Sequence, residues 1–325
     1  MQSIRRLYKQ PILIGALGAL IVLPGFKNNL IMKNNSNDPY IIVLGIAQDG
    51  GFPQAGCNKD CCKQAWLNDS LRRNVVCLGL VDPASGKKWM FEATPDFKYQ
   101  LRELQQTGAP DTNNRSGLSG IFITHGHIGH YTGLMNLGRE VMDAEHVPVY
   151  AMPRMQKFLT ENGPWSQLIK LNNIAFVHLQ DDSIVHLTPS ISVRPFLVPH
   201  RDEYTETVGF EIIGPHKKLI FIPDINKWQK WNTSIIDLIK KVDFAFLDGT
   251  FFKDGEIGRE MQNVPHPFVS ESMELFNAMP AAEKAKINFI HFNHTNPLLH
   301  ADSPERKEVI DAGFGIAHEG QAVSL

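Results

Sequence analysis

The chain has 325 residues, which allows one large domain or two of ordinary size. An apolar share of 43 % with a charged share of 20 % is typical of a globular protein, so disorder and fibrous repeats are excluded. The formal net charge of -2 offers no basic excess for gripping nucleic acid, and four cysteines are too few for a disulfide-built scaffold.

The N-terminal segment has the pattern of an export signal. Residues 1–10 carry three basic side chains and no acidic one, and an uninterrupted apolar run follows at residues 11–25. The run is shorter than the ~20 residues of a membrane span. A cleaved signal peptide, an uncleaved membrane anchor and a buried helix all stay open, although the glycines disfavour the helix. We predict a signal or anchor plus linker at residues 1–38, and an exported domain, periplasmic or membrane-anchored, at residues 39–325.

The first half of this domain mixes strands and helices. Short apolar runs that end in turn residues predict strands at residues 40–45, 75–81, 88–92, 120–124 and 147–151. Longer segments predict helices at residues 95–105, 131–142 and 154–161. The sequence Asp-Pro-Ala-Ser-Gly between the second and third strands is typical of a hairpin turn.

The second half is dominated by strands. They are predicted at residues 175–179, 183–187, 191–198, 207–213, 218–222, 243–248 and 287–292. Helices are predicted at residues 270–278 and 306–312. No linker composition interrupts the body, so we predict one domain of the α/β (α+β) class, with two sheets facing each other and helices outside.

The sequence Thr-His-Gly-His-Ile-Gly-His directly follows the strand at residues 120–124. Imidazole is a good ligand for zinc and iron. A tight turn at the end of a strand can aim His125 and His127 at one point, while His130 can aim at a neighbouring point, and the two intervening glycines allow the backbone to bend. This cluster therefore predicts a metal site.

Further metal-capable side chains end other predicted strands. Each of them alone is more consistent with a turn or a cap than with a ligand. Together with the histidine cluster, however, they would converge on one rim of the sheet sandwich. They are His200, Asp224, Asp248 and His291.

This order of residues resembles the ligand pattern of the metallo-β-lactamase superfamily, which is His-x-His-x-Asp-His followed by a His, an Asp and a final His at strand ends. The resemblance covers residues 40–300 and implies an αββα sandwich of two mixed β-sheets with outer helices and with metal at the rim between the sheets. It implies a first metal set of His125, His127 and His200. It implies a second set of His130, Asp224 and His291.

Within that superfamily the sequence resembles the family of pyrroloquinoline quinone biosynthesis B proteins. Four passages carry this resemblance, at residues 45–54, 92–96, 247–251 and 291–297. The chain departs from the superfamily pattern at Gly129, where the pattern has an aspartate that ligates the second metal. It departs from the quinone-biosynthesis family by having both His125 and His127.

The resemblance implies a metal-dependent hydrolase that acts on a small ester, amide or phosphodiester. One or two Zn²⁺ ions would activate water, with Fe or Mn as possible substitutes. Asp248 would orient a ligand histidine, and His294 and His266 would protonate a leaving group. Two alternatives stay open, namely an iron-dependent oxygenase acting on a tyrosine-derived precursor of the quinone cofactor and a non-catalytic carrier of a small ligand.

Three cysteines lie within six residues, at Cys57, Cys61 and Cys62. They resemble the separate structural zinc site of the quinone-biosynthesis proteins, although the spacing C-x3-C-C differs from the C-x-C-x2-C expected there. A disulfide in an exported domain and free thiols are the open alternatives. Cys77 lies alone in a predicted strand and is interpreted as a core residue.

Overall fold

Two seven-stranded mixed sheets form the body of the protein. A computed structural model describes residues 37–108, 116–261 and 263–325. The first sheet has the strand order β14-β1-β2-β3-β4-β5-β6. Its strands are β1 (Tyr40–Gly45), β2 (Cys77–Val81), β3 (Lys88–Phe91), β4 (Gly120–Phe122), β5 (Val147–Ala151), β6 (Ile174–His178) and β14 (Ala322–Ser324).

The second sheet has the order β13-β12-β11-β10-β9-β8-β7. Its strands are β7 (Val185–His186), β8 (Ser192–Leu197), β9 (Val208–Ile213), β10 (Lys218–Ile222), β11 (Phe244–Asp248), β12 (Ile287–Ile290) and β13 (Gly315–Ile316). Strands β3 to β6 run parallel in the first sheet and β10 to β13 in the second, whereas the remaining pairs are antiparallel. Because parallel strands end at the same edge, each sheet brings several carboxyl ends together there.

Helices connect the strands. In the described part of the chain they are α1 (Asp60–Leu67), α2 (Phe97–Gln106), α3 (Ile128–Tyr131), α4 (Pro153–Glu161), α5 (Trp165–Lys170), α6 (Ile235–Ile239), α7 (Val269–Phe276), α8 (Ala281–Lys284) and α9 (Pro304–Asp311). The helices α2, α4 and α5 pack their apolar residues on the outer face of the first sheet. Apolar residues of α6, α7 and α9 belong to the same core as strands of the second sheet.

Alternating residues of the strands face two different cores. Along β1, Ile41 and Val43 belong to the core between the sheets, while Ile42 and Leu44 face the core under the helices. Phe210 of the second sheet stands edge-on to rings of the first, with its ring centroid 5.4 Å from that of Phe91 and 5.5 Å from that of Phe122. These contacts hold the two sheets face to face, so the predicted sandwich of mixed sheets with outer helices is confirmed.

The predicted helix at residues 131–142 is wrong. The chain instead forms the one-turn helix α3 and then a 3₁₀ segment at Thr132–Leu137. The amide of Gly133 donates to the carbonyl of Ala93 at 2.9 Å, which diverts it from an α-helical partner. The backbone packs so closely there that a Cβ on Gly133 would lie 2.9 Å from the carbonyl carbon of Ala93.

The predicted signal or anchor with its linker falls almost wholly on residues 1–36, outside the described residues. Among the described helices, none has both the length and the apolar character that crossing a membrane requires.

A buried acid ties the C-terminal segment to the sheet. Glu319 accepts a hydrogen bond from the amide of Asn74 through Oε1 at 2.6 Å. Burial, together with the charges of Glu103 and Asp96, raises the pKa of Glu319 to about 7, although the Asn74 amide and Arg73 act in the opposite direction. A folded-state pKa above the ordinary value of 4.5 means that the protonated form favours folding. This contribution is fully present below pH 4.5 and is lost as the pH rises through about 7.

We therefore expect Glu319→Gln to remove a pH-dependent loss of stability. The amide oxygen of glutamine can still accept from Asn74, and the residue no longer ionises. At pH 8.5 the variant should be more stable than the parent by about 1–2 kcal/mol, and the difference should vanish near pH 4.5. Urea unfolding of both proteins at several pH values measures this difference. A difference that is constant with pH would contradict the assignment.

Candidate metal centre

The strand ends deliver their polar residues to one rim between the two sheets. The turn after β4 carries the three clustered histidines, and the loop after β8 carries His200. Asp224 follows β10, Asp248 ends β11, and His291 follows β12. All of these residues except His127 are buried. The convergence that the sequence predicts is therefore present, and it forms adjoining groups of ligand atoms.

The first group comprises His125, His127, His200 and Asp224. His125 Nε2 lies 2.9 Å from His127 Nδ1 and 3.4 Å from Asp224 Oδ2. His200 Nε2 lies 3.2 Å from the same carboxylate oxygen. A tetrahedral zinc ion with bonds of 2.0–2.2 Å has edges of roughly 3.3–3.6 Å between its ligand atoms. The donor set and its spacing therefore fit one zinc ion.

The second group comprises Asp49, His130 and His291. His130 Nε2 lies 3.5 Å from Asp49 Oδ1 and 3.9 Å from Asp224 Oδ2, so Asp224 lies between the two groups. Asp49 Oδ1, His130 Nε2 and His291 Nε2 are buried atoms, and none of them has a hydrogen-bond partner within the part of the chain that the structure describes. Buried polar atoms are rarely left in this state without a ligand. Nitrogen and carboxylate donors of this kind fit a second divalent cation.

Asp49 is a candidate metal ligand that the sequence patterns did not reveal. It lies in the Gly- and Cys-rich loop after β1, which carries no histidine cluster. The available signal was an acidic residue shortly after a predicted strand, followed by two glycines. That pattern is indistinguishable from an ordinary turn without the three-dimensional arrangement.

Two threonine–carboxylate pairs fix the orientation of the ligand histidines. Thr124 Oγ1 donates to Glu92 Oε1 at 2.6 Å, and therefore accepts from His125 Nδ1 at 2.9 Å. Glu92 Oε1 also accepts from His130 Nδ1 at 3.1 Å. With Nδ1 of both rings protonated, Nε2 presents a lone pair to the site. Glu92 belongs to the passage at residues 92–96 that carries the resemblance, but the sequence alone does not predict this orienting role.

The same arrangement, in which a threonine links a carboxylate to a ligand histidine, recurs on the second sheet. Thr250 Oγ1 donates to Asp248 Oδ1 at 2.6 Å and accepts from His291 Nδ1 at 2.8 Å. Asp248 therefore holds a ligand histidine through Thr250. Asp248 Oδ2 also contacts His266 Nδ1 at 2.9 Å, and the same nitrogen lies 3.2 Å from Asp224 Oδ1. The ring of His266 is thus clamped between two carboxylates at the rim.

Backbone strain marks two of these residues. Glu92 has φ 86° and His291 has φ 70°, which is the left-handed region that side chains other than glycine rarely adopt. Each residue immediately follows a strand, β3 or β12. Conformations of this kind persist where the surroundings over-determine them, and they are concentrated at functional sites.

At some groups of the site, neighbouring charges shift the pKa in the direction opposite to that of burial. Burial lowers the pKa of His125 well below its ordinary value and lowers that of His291 to about 4. Burial also acts to lower the pKa of His130 and His266, but the facing carboxylates raise these values to about 9 and about 10. The neighbouring histidines hold the pKa of Asp224 well below its ordinary value, despite its burial. Asp224 is therefore an anion held among imidazoles.

Glu92→Gln is expected to weaken metal binding in the second group about 10–100-fold, because the carboxylate that orients His130 loses its charge while the shape is kept. Competition with a chromophoric chelator measures this affinity. Glu140→Gln, at an exposed acid, serves as the matched control. An unchanged affinity in Glu92→Gln would contradict the orienting role.

The cysteine cluster forms a separate group, and His294 completes it. Cys57 Sγ lies 3.7 Å from Cys61 Sγ, and His294 Nδ1 lies 3.6 Å from Cys61 Sγ and 3.4 Å from Cys62 Sγ. A tetrahedral zinc with bonds of 2.3 Å to sulfur has sulfur–sulfur edges of roughly 3.8 Å. The cysteines are free, so the disulfide alternative is not formed. The four donors fit a Cys₃His structural zinc site.

This geometry favours a different role for His294 from the one predicted. Its imidazole faces thiols, and it belongs to a different group of ligand atoms from the rim histidines. Its protonation of a leaving group stays a prediction. After β12 the backbone of Phe292 bridges to Ala47, and the Asn293 side chain donates to Gln48 Oε1 at 2.6 Å. These contacts carry the following residues to the cysteine loop.

A cavity of about 380 Å³ opens beside the two groups of candidate metal ligands. It reaches two candidate ligands, and its walls otherwise combine aromatic rings with one guanidinium. Its lining includes Asp49, His127, Tyr131, Phe158, Arg201 and Tyr204. A larger cavity of about 600 Å³, next to Lys227 and Phe268, includes none of the candidate metal ligands in its lining. The smaller cavity is therefore the candidate substrate site.

Comparison with known proteins agrees with this geometry. Residues 87–292 match the family model of a Beta-lactamase superfamily domain. Coenzyme PQQ synthesis protein B of Methylococcus capsulatus is 25 % identical over 311 residues, covering 88 % of this chain and 99 % of the relative. The protein of the same name from Pseudomonas putida strain W619 is 28 % identical over 318 residues, covering 88 % and 100 %.

Solved structures show the same fold. Zinc-bound PqqB from Methylobacterium extorquens superposes with a TM-score of 0.73 at 24 % identity, over 88 % of this chain and 100 % of that one. A diphosphatase of the PhnP family superposes with a TM-score of 0.60 at 19 % identity, over 88 % and 97 %. The chain therefore belongs to the beta-lactamase superfamily, with the metallo-β-lactamase fold, and is similar to coenzyme PQQ synthesis protein B.

Proposed function

We propose that the protein is a metal-dependent hydrolase of a small ester, amide or phosphodiester. One observation carries the proposal: Asp224 lies beside two groups of histidine and carboxylate atoms, and each group contributes one residue to the lining of a cavity. Zinc bound at such a site lowers the pKa of its water towards ~7 and polarises the scissile group.

The cavity favours a substrate that carries an anionic group next to a ring or an apolar portion. Arg201 is the cationic side chain in its lining, and Phe158 and Tyr204 stack obliquely with ring centroids 5.5 Å apart. A guanidinium pairs with carboxylate or phosphate, and aromatic rings cover apolar surface. We propose that Arg201 positions the anionic end of the substrate.

The residues of the chain supply orientation and protons. Glu92 and Asp248 keep the ligand nitrogens aimed at the site through their threonines. His266, held through Nδ1 by two carboxylates, has its Nε2 as the nitrogen available for proton transfer to a leaving group. Asp248 is therefore a positioning residue, and His266 is the candidate general acid.

The proposal is tested with protein purified without added metal and then loaded with Zn²⁺, Fe²⁺ or Mn²⁺. We expect zinc-dependent cleavage of bis(p-nitrophenyl) phosphate or of p-nitrophenyl esters, lost on chelation and restored by zinc. His127→Ala should lower the metal content and the rate together, while His186→Ala, on an exposed strand, should change neither. A rate that is independent of metal would overturn the proposal.

A second candidate is an iron-dependent step in the biosynthesis of pyrroloquinoline quinone, supported by the similarity to PQQ synthesis protein B along 88 % of the chain. Two histidines and one carboxylate with open positions suit O₂ chemistry at iron, and His130, Asp224 and His291 have that composition. The additional carboxylate of Asp49 makes this set less like such a triad. Oxygen consumption by the iron-loaded protein with a tyrosine-containing peptide, together with no hydrolysis by the zinc form, would favour this candidate.

A further inference from the structure

Asp49 occupies the space that Gly129 leaves empty. A Cβ built on Gly129 would overlap Asp49 Oδ1 and would lie 2.5 Å from Asp49 Cα and 3.0 Å from its Cβ. Gly129 lies inside α3 and is not among the glycines with positive φ, so its backbone would accept a side chain. Glycine is needed at position 129 because the backbone and side chain of Asp49 pack against it, and not because of the local conformation.

The loop that carries Asp49 is anchored next to a ligand of the second group. The amide of Gln48 donates to the carbonyl of Phe292 at 2.8 Å, and Gly51 N closes a turn on the carbonyl of Gln48 at 2.8 Å. Phe292 directly follows His291. The position of Asp49 is thus coupled to that of the histidine with which it would share a cation.

A carboxylate oxygen of Asp49 faces the site. Asp49 Oδ1 is buried, lies 3.5 Å from His130 Nε2 and makes no hydrogen bond with the residues that the structure describes. His130 Nε2 and His291 Nε2 are also buried and unpaired. Because Glu92 and Thr250 fix the tautomers of both rings, all three atoms present lone pairs to a common point.

We infer that Asp49 is the carboxylate ligand of the second metal, and that it replaces the aspartate that the superfamily pattern places at position 129. The carboxylate has moved to a loop about 80 residues earlier in the chain, while its oxygen lies beside His130 and His291. The inference rests on the metal-binding part of the proposed function and does not depend on the reaction catalysed.

The test substitutes each of the two positions, and the readout is metal content. Zinc bound per chain is measured by mass spectrometry in the parent, Asp49→Ala, Asp49→Asn and Gly129→Asp. The parent is expected to hold three equivalents, one of them on the cysteines. Asp49→Ala should lose one equivalent or bind it about 100-fold more weakly. Asp302→Ala, at an exposed acid, should retain all three.

Gly129→Asp alone should be destabilised by the overlap with Asp49 and should gain no metal. Asp49→Asn should lose the same equivalent as Asp49→Ala and keep a melting temperature close to that of the parent, because the amide keeps the shape of the side chain without its charge. Full zinc content at parental affinity in Asp49→Ala or in Asp49→Asn would overturn the inference. A parent without zinc at the histidine groups would instead overturn the proposed function, so the two failures are distinguishable.

Discussion

Asp224→Asn is expected to empty both histidine groups of metal and to lower the rate of hydrolysis at least ~10³-fold, which corresponds to several kcal/mol of transition-state stabilisation. Asp224 Oδ2 lies within 3.9 Å of His125, His130 and His200, so one atom serves both groups. An amide keeps the shape of the side chain but has no charge, and its nitrogen cannot act as a ligand.

The measurement combines zinc content with turnover of the same preparation. The cysteine site should keep its own equivalent, so the content should fall from three to one. Asp237→Asn provides a matched control, because that aspartate is exposed, its carboxylate accepts from Lys240, and its backbone amide donates to Ser234 Oγ. If Asp224→Asn retained two equivalents in the histidine groups, Asp224 would not be the shared ligand.

The parts of the site that could be predicted from sequence are those written in local patterns. A histidine cluster directly after an apolar strand, and single polar residues at the ends of β8, β10, β11 and β12, are local features. Parallel strands place their carboxyl ends at one edge, so these residues meet whenever the strands are correctly identified. The fold followed for the same reason, since alternation and turn residues identify strands.

The residues that sequence analysis missed or misplaced depend on contacts between distant segments. Asp49 reaches the site because the loop after β1 is hydrogen-bonded to Phe292. Glu92 reaches His130 across 38 positions of sequence. His294 lies only three residues after a rim ligand, yet it turns toward cysteines that precede it by more than 230 positions. These contacts are not encoded in periodicity or spacing along the chain, because tertiary packing determines them.

Gly129 shows how a prediction from one residue of a motif can be incomplete. On its own, a glycine in place of an aspartate predicts a second metal site with fewer ligands. In the structure the group at that place has two imidazoles and the carboxylate of Asp49, close to the shared carboxylate of Asp224. A carboxylate thus lies beside the two imidazoles although the motif lacks one, and a metal site requires suitable atom positions whatever their order along the chain.

The second large effect is expected at the cysteine cluster, where His294→Ala should release one zinc equivalent and lower the free energy of unfolding by about 3–5 kcal/mol. This is a fraction of the ~10–16 kcal/mol that zinc contributes to zinc-finger peptides, because here the domain has a core of its own. The four donors fasten the loop after β1 and helix α1 to the segment after β12. Burial raises the pKa of Cys62 to about 12, so its thiolate requires a cation beside it.

Thermal unfolding and zinc content, measured on the same samples, check this prediction. The melting temperature should fall by roughly 10 °C, since ~1 kcal/mol corresponds to about 2–4 °C in a domain of this size. Cys77→Ala is the control, because that thiol is buried away from the cluster and should leave the zinc content unchanged. A reductant should have no effect on the parent, whereas a strong chelator should lower its melting temperature at least as much as His294→Ala does, because it also empties the histidine groups. Stabilisation that disappeared with reductant and not with chelator would instead identify a disulfide, and the Cys₃His assignment would be wrong.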